Sequence, residues 1–138
     1  MQEMPVHMFR EEAHILTGIR RGRVWLMRLQ RHMEGAPASV ETDWRWALER
    51  EERYHDVAGF YHTHPPAAGA APSQRDVRTM RAWCGAFGKP LLCVIVCAGR
   101  PQSTLFRDDE DSGLALPVTE RFGGGIIVAV EEELYNGR

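Results

Sequence analysis

Two histidines, a serine and an aspartate fall in one short stretch, Phe60-Tyr61-His62-Thr63-His64-Pro65 followed by Ser73-Gln74-Arg75-Asp76. Side chains at i and i+2 of a strand point the same way, so the imidazoles of His62 and His64 can reach one ion. A carboxylate from the first turn of the next helix, Asp76, can supply a third ligand. Two nitrogens and one oxygen leave a tetrahedral zinc with one position open to water, the pattern of catalytic rather than structural sites. Such a metal lowers the pKa of a water toward neutrality and polarises a carbonyl, which is hydrolytic chemistry. Each half has a plainer reading: an isolated His-x-His in a strand is as a rule incidental, and Ser73 with Asp76 three residues on is a helix capping box. In combination they gain meaning, because a cap just past a Pro-rich loop also sets a carboxylate at a helix start that can face the two histidines.

The elements that must hold these residues can be read from pattern. Ala13 to Thr17 and Arg23 to Leu29 read as two strands of a hairpin around a Gly/Arg turn, and Met33 to Ser39 reads as a loop. Val40 to Tyr54 reads as a helix packing through Trp44, Ala47 and Leu48, with Glu41, Arg45, Glu49 and Glu52 toward water. Of the two tryptophans there, Trp44 is the expected core residue and Trp46 the one free for outside contact. Val57 to Tyr61 is a short apolar strand leading into His62, and Pro65 to Pro72 is a loop too rich in breakers to be regular. A helix is predicted from Gln74 to Phe87, stopped by Gly88-Lys89-Pro90. Strands are predicted over 91–98 and 103–107, an acidic loop over 108–113, and a last strand over 125–130. The sum is an α+β chain with a mixed sheet flanked by helices, of a length that suits one domain over 1–138.

Composition narrows the function classes. Seventeen basic against nineteen acidic residues give a formal charge of −2, so nothing in bulk charge points to nucleic acid or an anionic membrane. No apolar run approaches the roughly 20 residues of a membrane helix, and the N-terminal residues lack the pattern of an export signal, so a cytoplasmic location is expected. Cys84, Cys93 and Cys97 form no C-x-x-C pair. Cys93 and Cys97, four apart on a strand and therefore about 13 Å from one another, are beyond disulfide reach. All three read as small core residues in a reducing compartment.

The pattern His-x-His-Pro, loop, Ser-x-x-Asp after an apolar strand, with a glutamate upstream, resembles the JAMM (JAB/MPN) metalloproteases in their prokaryotic, deubiquitinase-like branch. It can be followed from about Glu11 to Ile95. The resemblance implies the JAB/MPN fold, which is cytidine-deaminase-like, and one zinc per chain held by His62, His64 and Asp76. It implies that Ser73 hydrogen-bonds a developing oxyanion and that an upstream glutamate is the general base. The family places a glycine seven positions after that base; Gly18 lies seven after Glu11, which favours Glu11 over Glu12. Family members cleave peptide or isopeptide bonds after the C-terminal glycine of ubiquitin-like proteins, so the implied partner is a ubiquitin-like or sulfur-carrier protein ending in Gly-Gly. Compact members often belong to gene clusters for ubiquitin-like conjugation, some linked to phage defence. A non-catalytic MPN-type scaffold and a hydrolase of small adducts on a carrier protein are the alternatives. Two features depart from the family pattern. The interval from His64 to Asp76 encloses eleven residues where ten are usual, and ten residues precede Glu11 where the family carries a helix. The second implies a trimmed version, with apolar surface left for a partner or a second copy.

Overall fold

A computed structural model describes residues 11–35, 44–122 and 124–132. Eight strands and two helices follow in the order β1 (Glu11–Arg21), β2 (Val24–Gly35), α1 (Trp44–Tyr54), β3 (Val57–His64), α2 (Gln74–Phe87), β4 (Leu91–Cys97), β5 (Arg100–Phe106), β6 (Leu114–Leu116), β7 (Val118–Phe122) and β8 (Ile126–Val130). They make one mixed sheet in the order β6-β5-β4-β3-β1-β2-β8-β7. Every neighbouring pair is antiparallel except β3 and β4, which run parallel. That exception follows from α2, because two parallel strands can be joined only by a crossover long enough to return the chain to the starting edge.

The sheet curls until β5 and β7, near opposite ends of the order, come into contact. Its concave face is thereby enclosed by strands alone, around Leu16, Trp25, Met27, Leu92, Val94, Leu105 and Ile127. The convex face is covered by the helices: Met80 and Trp83 of α2 and Ala47 of α1 pack on Ile15, Leu91, Cys93, Ile95 and Phe106. The alternation in β4 explains how one strand serves both layers, since Leu92 and Val94 face one core and Leu91, Cys93 and Ile95 the other. Helix α2 ends as its sequence dictates, with Gly88 at φ 67° donating its N–H to the Cys84 carbonyl.

The α+β reading holds, with several boundaries corrected. The first two strands are longer than predicted. Polar ends such as Glu11, Glu12, Arg20 and Arg21 are still paired in the ladder, and Met33 to Gly35 belong to β2 rather than to a loop. Residues 36–43, which hold the rest of that loop and the predicted start of the first helix, lie outside the described residues, as do 1–10. β3 runs through His64, so both histidines are inside the strand. β6 and β7 were not predicted. The two tryptophans exchange roles: Trp46 packs on the helical core, whereas Trp44 stays 44 % exposed while stacking on Trp83 at 3.6 Å. Leu48, expected in the core, is 46 % exposed. The three cysteines are free and buried, as expected. No helix among the described residues is long and apolar enough to cross a membrane.

Candidate metal centre

Strand alternation sets His62 and His64 on the helix-covered face, where β3 runs beside Ile95 and Cys97 of β4. Across the other edge, Ala13 of β1 is level with His62. Carried on by two residues, that register sets Glu11 level with His64 on the same face, and Glu12 on the opposite one. The chain then leaves β3 through Pro65 and a single 3-10 turn, Pro66–Ala68, and enters α2 at Ser73.

The start of α2 is a reciprocal capping box. Ser73 Oγ accepts the Asp76 N–H at 3.0 Å, and Asp76 Oδ2 accepts the Ser73 N–H at 2.8 Å. The cap holds the Asp76 carboxylate on the side of the two histidines. Asp76 Oδ1 lies 3.6 Å from His62 Nε2, and Asp76 Oδ2 lies 3.5 Å from His64 Nε2. These separations are long for hydrogen bonds. They suit atoms that share an ion: bonds of about 2.05 Å at a tetrahedral angle set ligand atoms ~3.3 Å apart. Ligand atoms from the three side chains all lie within 4.8 Å of one another.

Two further observations bear on metal fit. His62 Nε2 is buried and has no hydrogen-bond partner among the described residues, an arrangement that costs about 1–3 kcal/mol unless something satisfies the atom. Burial is also the main reason the His62 pKa is lowered; neighbouring His64 lowers it further and Asp76 opposes the shift. The ring is thus biased toward the neutral form that binds metals. His64 Nδ1 lies 2.8 Å from the Gly69 carbonyl oxygen. A carbonyl can only accept, so Nδ1 carries the hydrogen, and in the neutral ring Nε2 then presents a lone pair toward Asp76, the arrangement typical of a ligating histidine. The donor set therefore fits a divalent transition metal.

Glu11 is 8 % exposed, and no hydrogen bond or ion pair joins its carboxylate to another described residue. Burial raises its pKa above the ordinary glutamate value; the Asp76 charge adds to the rise, and His64 and Arg75 counter it. A carboxylate so placed is easier to protonate than a solvated one. Glu12 is exposed, and its backbone N–H donates to Thr63 Oγ1 at 2.9 Å. Ser73 uses an acceptor lone pair in the cap and keeps its O–H free to donate.

Sequence reasoning missed three participants. The Gly69 carbonyl partners His64, the Thr63 hydroxyl ties down the strand that carries Glu11, and Arg75 is close enough to act on Glu11 electrostatically. Only Thr63 had a visible signal, its place between the two histidines. The Trp44–Trp83 stack and the Asp108-Asp109-Glu110-Asp111 loop are not part of the group of three ligands.

The family model described as prokaryotic homologues of the JAB domain matches residues 6–108, which include every residue of this cluster. No curated protein matches the chain.

Proposed function

The chain belongs to the family of prokaryotic homologues of the JAB domain, and on that premise we propose that it is a zinc-dependent peptidase or isopeptidase. Its substrate is the bond after the C-terminal glycine of a ubiquitin-like or sulfur-carrier protein. The observation that carries the reading is the convergence of two imidazole nitrogens and one carboxylate within 4.8 Å, with the buried Glu11 acted on by two of those three residues.

Each residue then has a task its surroundings favour. His62, His64 and Asp76 hold the metal. Zinc bound there would polarise the scissile carbonyl and make a water more acidic. Glu11 takes a proton from the attacking water and delivers it to the leaving amine as the C–N bond breaks, a transfer that a carboxylate with a raised pKa performs in both directions. Ser73 donates its free O–H to the oxygen that gains charge. The tail lies extended beside the site as an added strand, and its glycines let the backbone approach the metal where larger side chains would clash.

Metal analysis and cleavage assays test this directly. The purified chain is expected to carry about one zinc, and His62→Ala and Asp76→Ala to lose most of it; unchanged metal content in both variants would end the reading. A panel of ubiquitin-like fusions with Gly-Gly at the junction should be cut by the zinc-loaded chain. Zinc without turnover on any fusion would point instead to hydrolysis of small adducts on a carrier protein, or to a scaffold.

A further inference from the structure

The loop between the histidines and α2 is where the chain departs from the expected spacing, and one of its residues has an unusual backbone. Gly69 sits at φ 76° and ψ 174°. That region is essentially closed to residues with a side chain. Crowding is not the reason for a glycine here, because a Cβ built at Gly69 meets nothing within 4 Å. The demand comes from the direction of the peptide. In this conformation the Gly69 carbonyl turns back five residues and meets His64 Nδ1 at 2.8 Å.

The rest of the loop holds that peptide in place. On one side the Ala68 N–H donates to the Pro65 carbonyl at 2.9 Å, closing the 3-10 turn. On the other, Ala70 packs against the apolar cluster under the helices. Between two such anchors a residue with ordinary φ could not point its carbonyl at the histidine without moving one of them.

We propose that Gly69 is a positioning residue of the metal centre, whose glycine-only backbone delivers a carbonyl to His64 Nδ1 and so fixes the tautomer that leaves Nε2 free to ligate. The inference rests on the reading that His64 is a metal ligand. A neutral histidine in water favours the hydrogen on Nε2, the wrong atom for this site. The Gly69 carbonyl reverses that preference before any ion arrives, and it fixes the plane of the ring as well as the tautomer. The eleven-residue interval then has a purpose, since it gives the chain the slack to turn a peptide toward His64 and still reach the cap at Ser73.

The test combines NMR with zinc titration. In the metal-free wild type at pH 8, two-bond nitrogen–proton spectra of the His64 ring should show the Nδ1–H tautomer; an Nε2–H tautomer there would overturn the proposal without any variant. In Gly69→Ala the ring should shift toward Nε2–H and zinc affinity should fall about 10–100-fold. Ala67→Gly in the same loop should change neither. Wild-type tautomer and wild-type affinity in a folded Gly69→Ala would show that the glycine serves only the turn. A wild type that binds no zinc would defeat the proposed function instead, and the metal-free tautomer would still decide the role of Gly69.

Discussion

Glu11 and Glu131 are buried to the same degree, at 8 % and 9 % exposure, yet they sit at opposite ends of β1 in surroundings of opposite character. Glu131, just past β8, is fully engaged. Its carboxylate pairs with Arg20 at 2.6 Å and accepts Trp25 Nε1–H at 2.7 Å, while its own N–H donates to the Arg23 carbonyl. It clasps the β1–β2 turn to the end of β8. Glu11 has no such partner among the described residues and pays for burial with a raised pKa. A buried polar group that is satisfied stabilises a fold, and one left unsatisfied is held for chemistry or for a ligand. Lack of a partner alone is not a diagnosis, since among the described residues Trp83 Nε1 and Ser103 Oγ are buried without one and lie outside the group of three potential ligands. What distinguishes the end with Glu11 is the three potential ligands gathered beside it.

The same substitution at the two glutamates should therefore act in opposite directions. Glu11→Gln is expected to lower kcat/KM by about 10²–10⁴ with zinc content unchanged, the largest effect foreseen; if Glu12→Gln does this and Glu11→Gln does not, the base is misassigned. In the metal-free chain Glu11→Gln should raise the melting temperature at neutral pH. The raised pKa means that the folded state favours the protonated acid, so the stability it lends is complete below the unfolded pKa and disappears as pH rises through the folded one. A neutral glutamine escapes that loss. Glu131→Gln should instead lower stability by about 2 kcal/mol and leave kcat alone; the cost stays below that of a fully buried pair because Arg20 remains 39 % exposed. Denaturant melts of the two variants side by side would settle the comparison, and a drop in both would erase it.

Asp111 gives the smallest effect and belongs with Glu131. The Arg107 guanidinium, together with the Gly113 and Arg107 backbone N–H groups, holds its carboxyl well below the usual carboxylate range. Its contribution is present above that range and is lost only as pH falls far into acid. Chemical shifts of Gly113 followed to low pH should therefore stay flat through the range where ordinary carboxylates titrate; a transition there would mean that the loop is not tied.

The ligand set was legible because its spacing obeys two local rules, alternation in a strand and reciprocity in a helix cap, and both depend only on residues near in sequence. Glu11 is different. Nothing within its own segment distinguishes it from Glu12, and the choice rests on family spacing; the structure adds that alternation along β1 sets the two on opposite faces. The strands β6 and β7 escaped notice for a related reason. Leu114–Leu116 is three residues long, Pro117 separates it from Val118–Phe122, and each is fixed by pairing with β5 or β8 rather than by its own pattern. Trp44 and Trp46 were exchanged because helical periodicity defines faces but not which neighbour covers them; Trp83, far away in sequence, decides that Trp44 is stacked yet still exposed. Gly69 looked like one more breaker in a Pro/Ala/Gly loop, since the direction of a carbonyl leaves no trace in composition.

The bond from the Glu12 N–H to Thr63 Oγ1 has a dynamic consequence. Beyond the rung of Ala13 and His62, that bond ties the start of β1 to the strand bearing the histidines. If it lets go, the leading end of β1, still paired with β2, can part from β3 while His62, His64 and Asp76 keep their places, since they belong to β3 and α2. The three potential ligands and the buried carboxylate of Glu11 thus reside in parts of the molecule that can open independently. Thr63→Val should release the Glu12 amide to rapid hydrogen exchange and Thr63→Ser should restore its protection, so a single methyl-for-hydroxyl change loosens the strand bearing Glu11 without touching the three potential ligands.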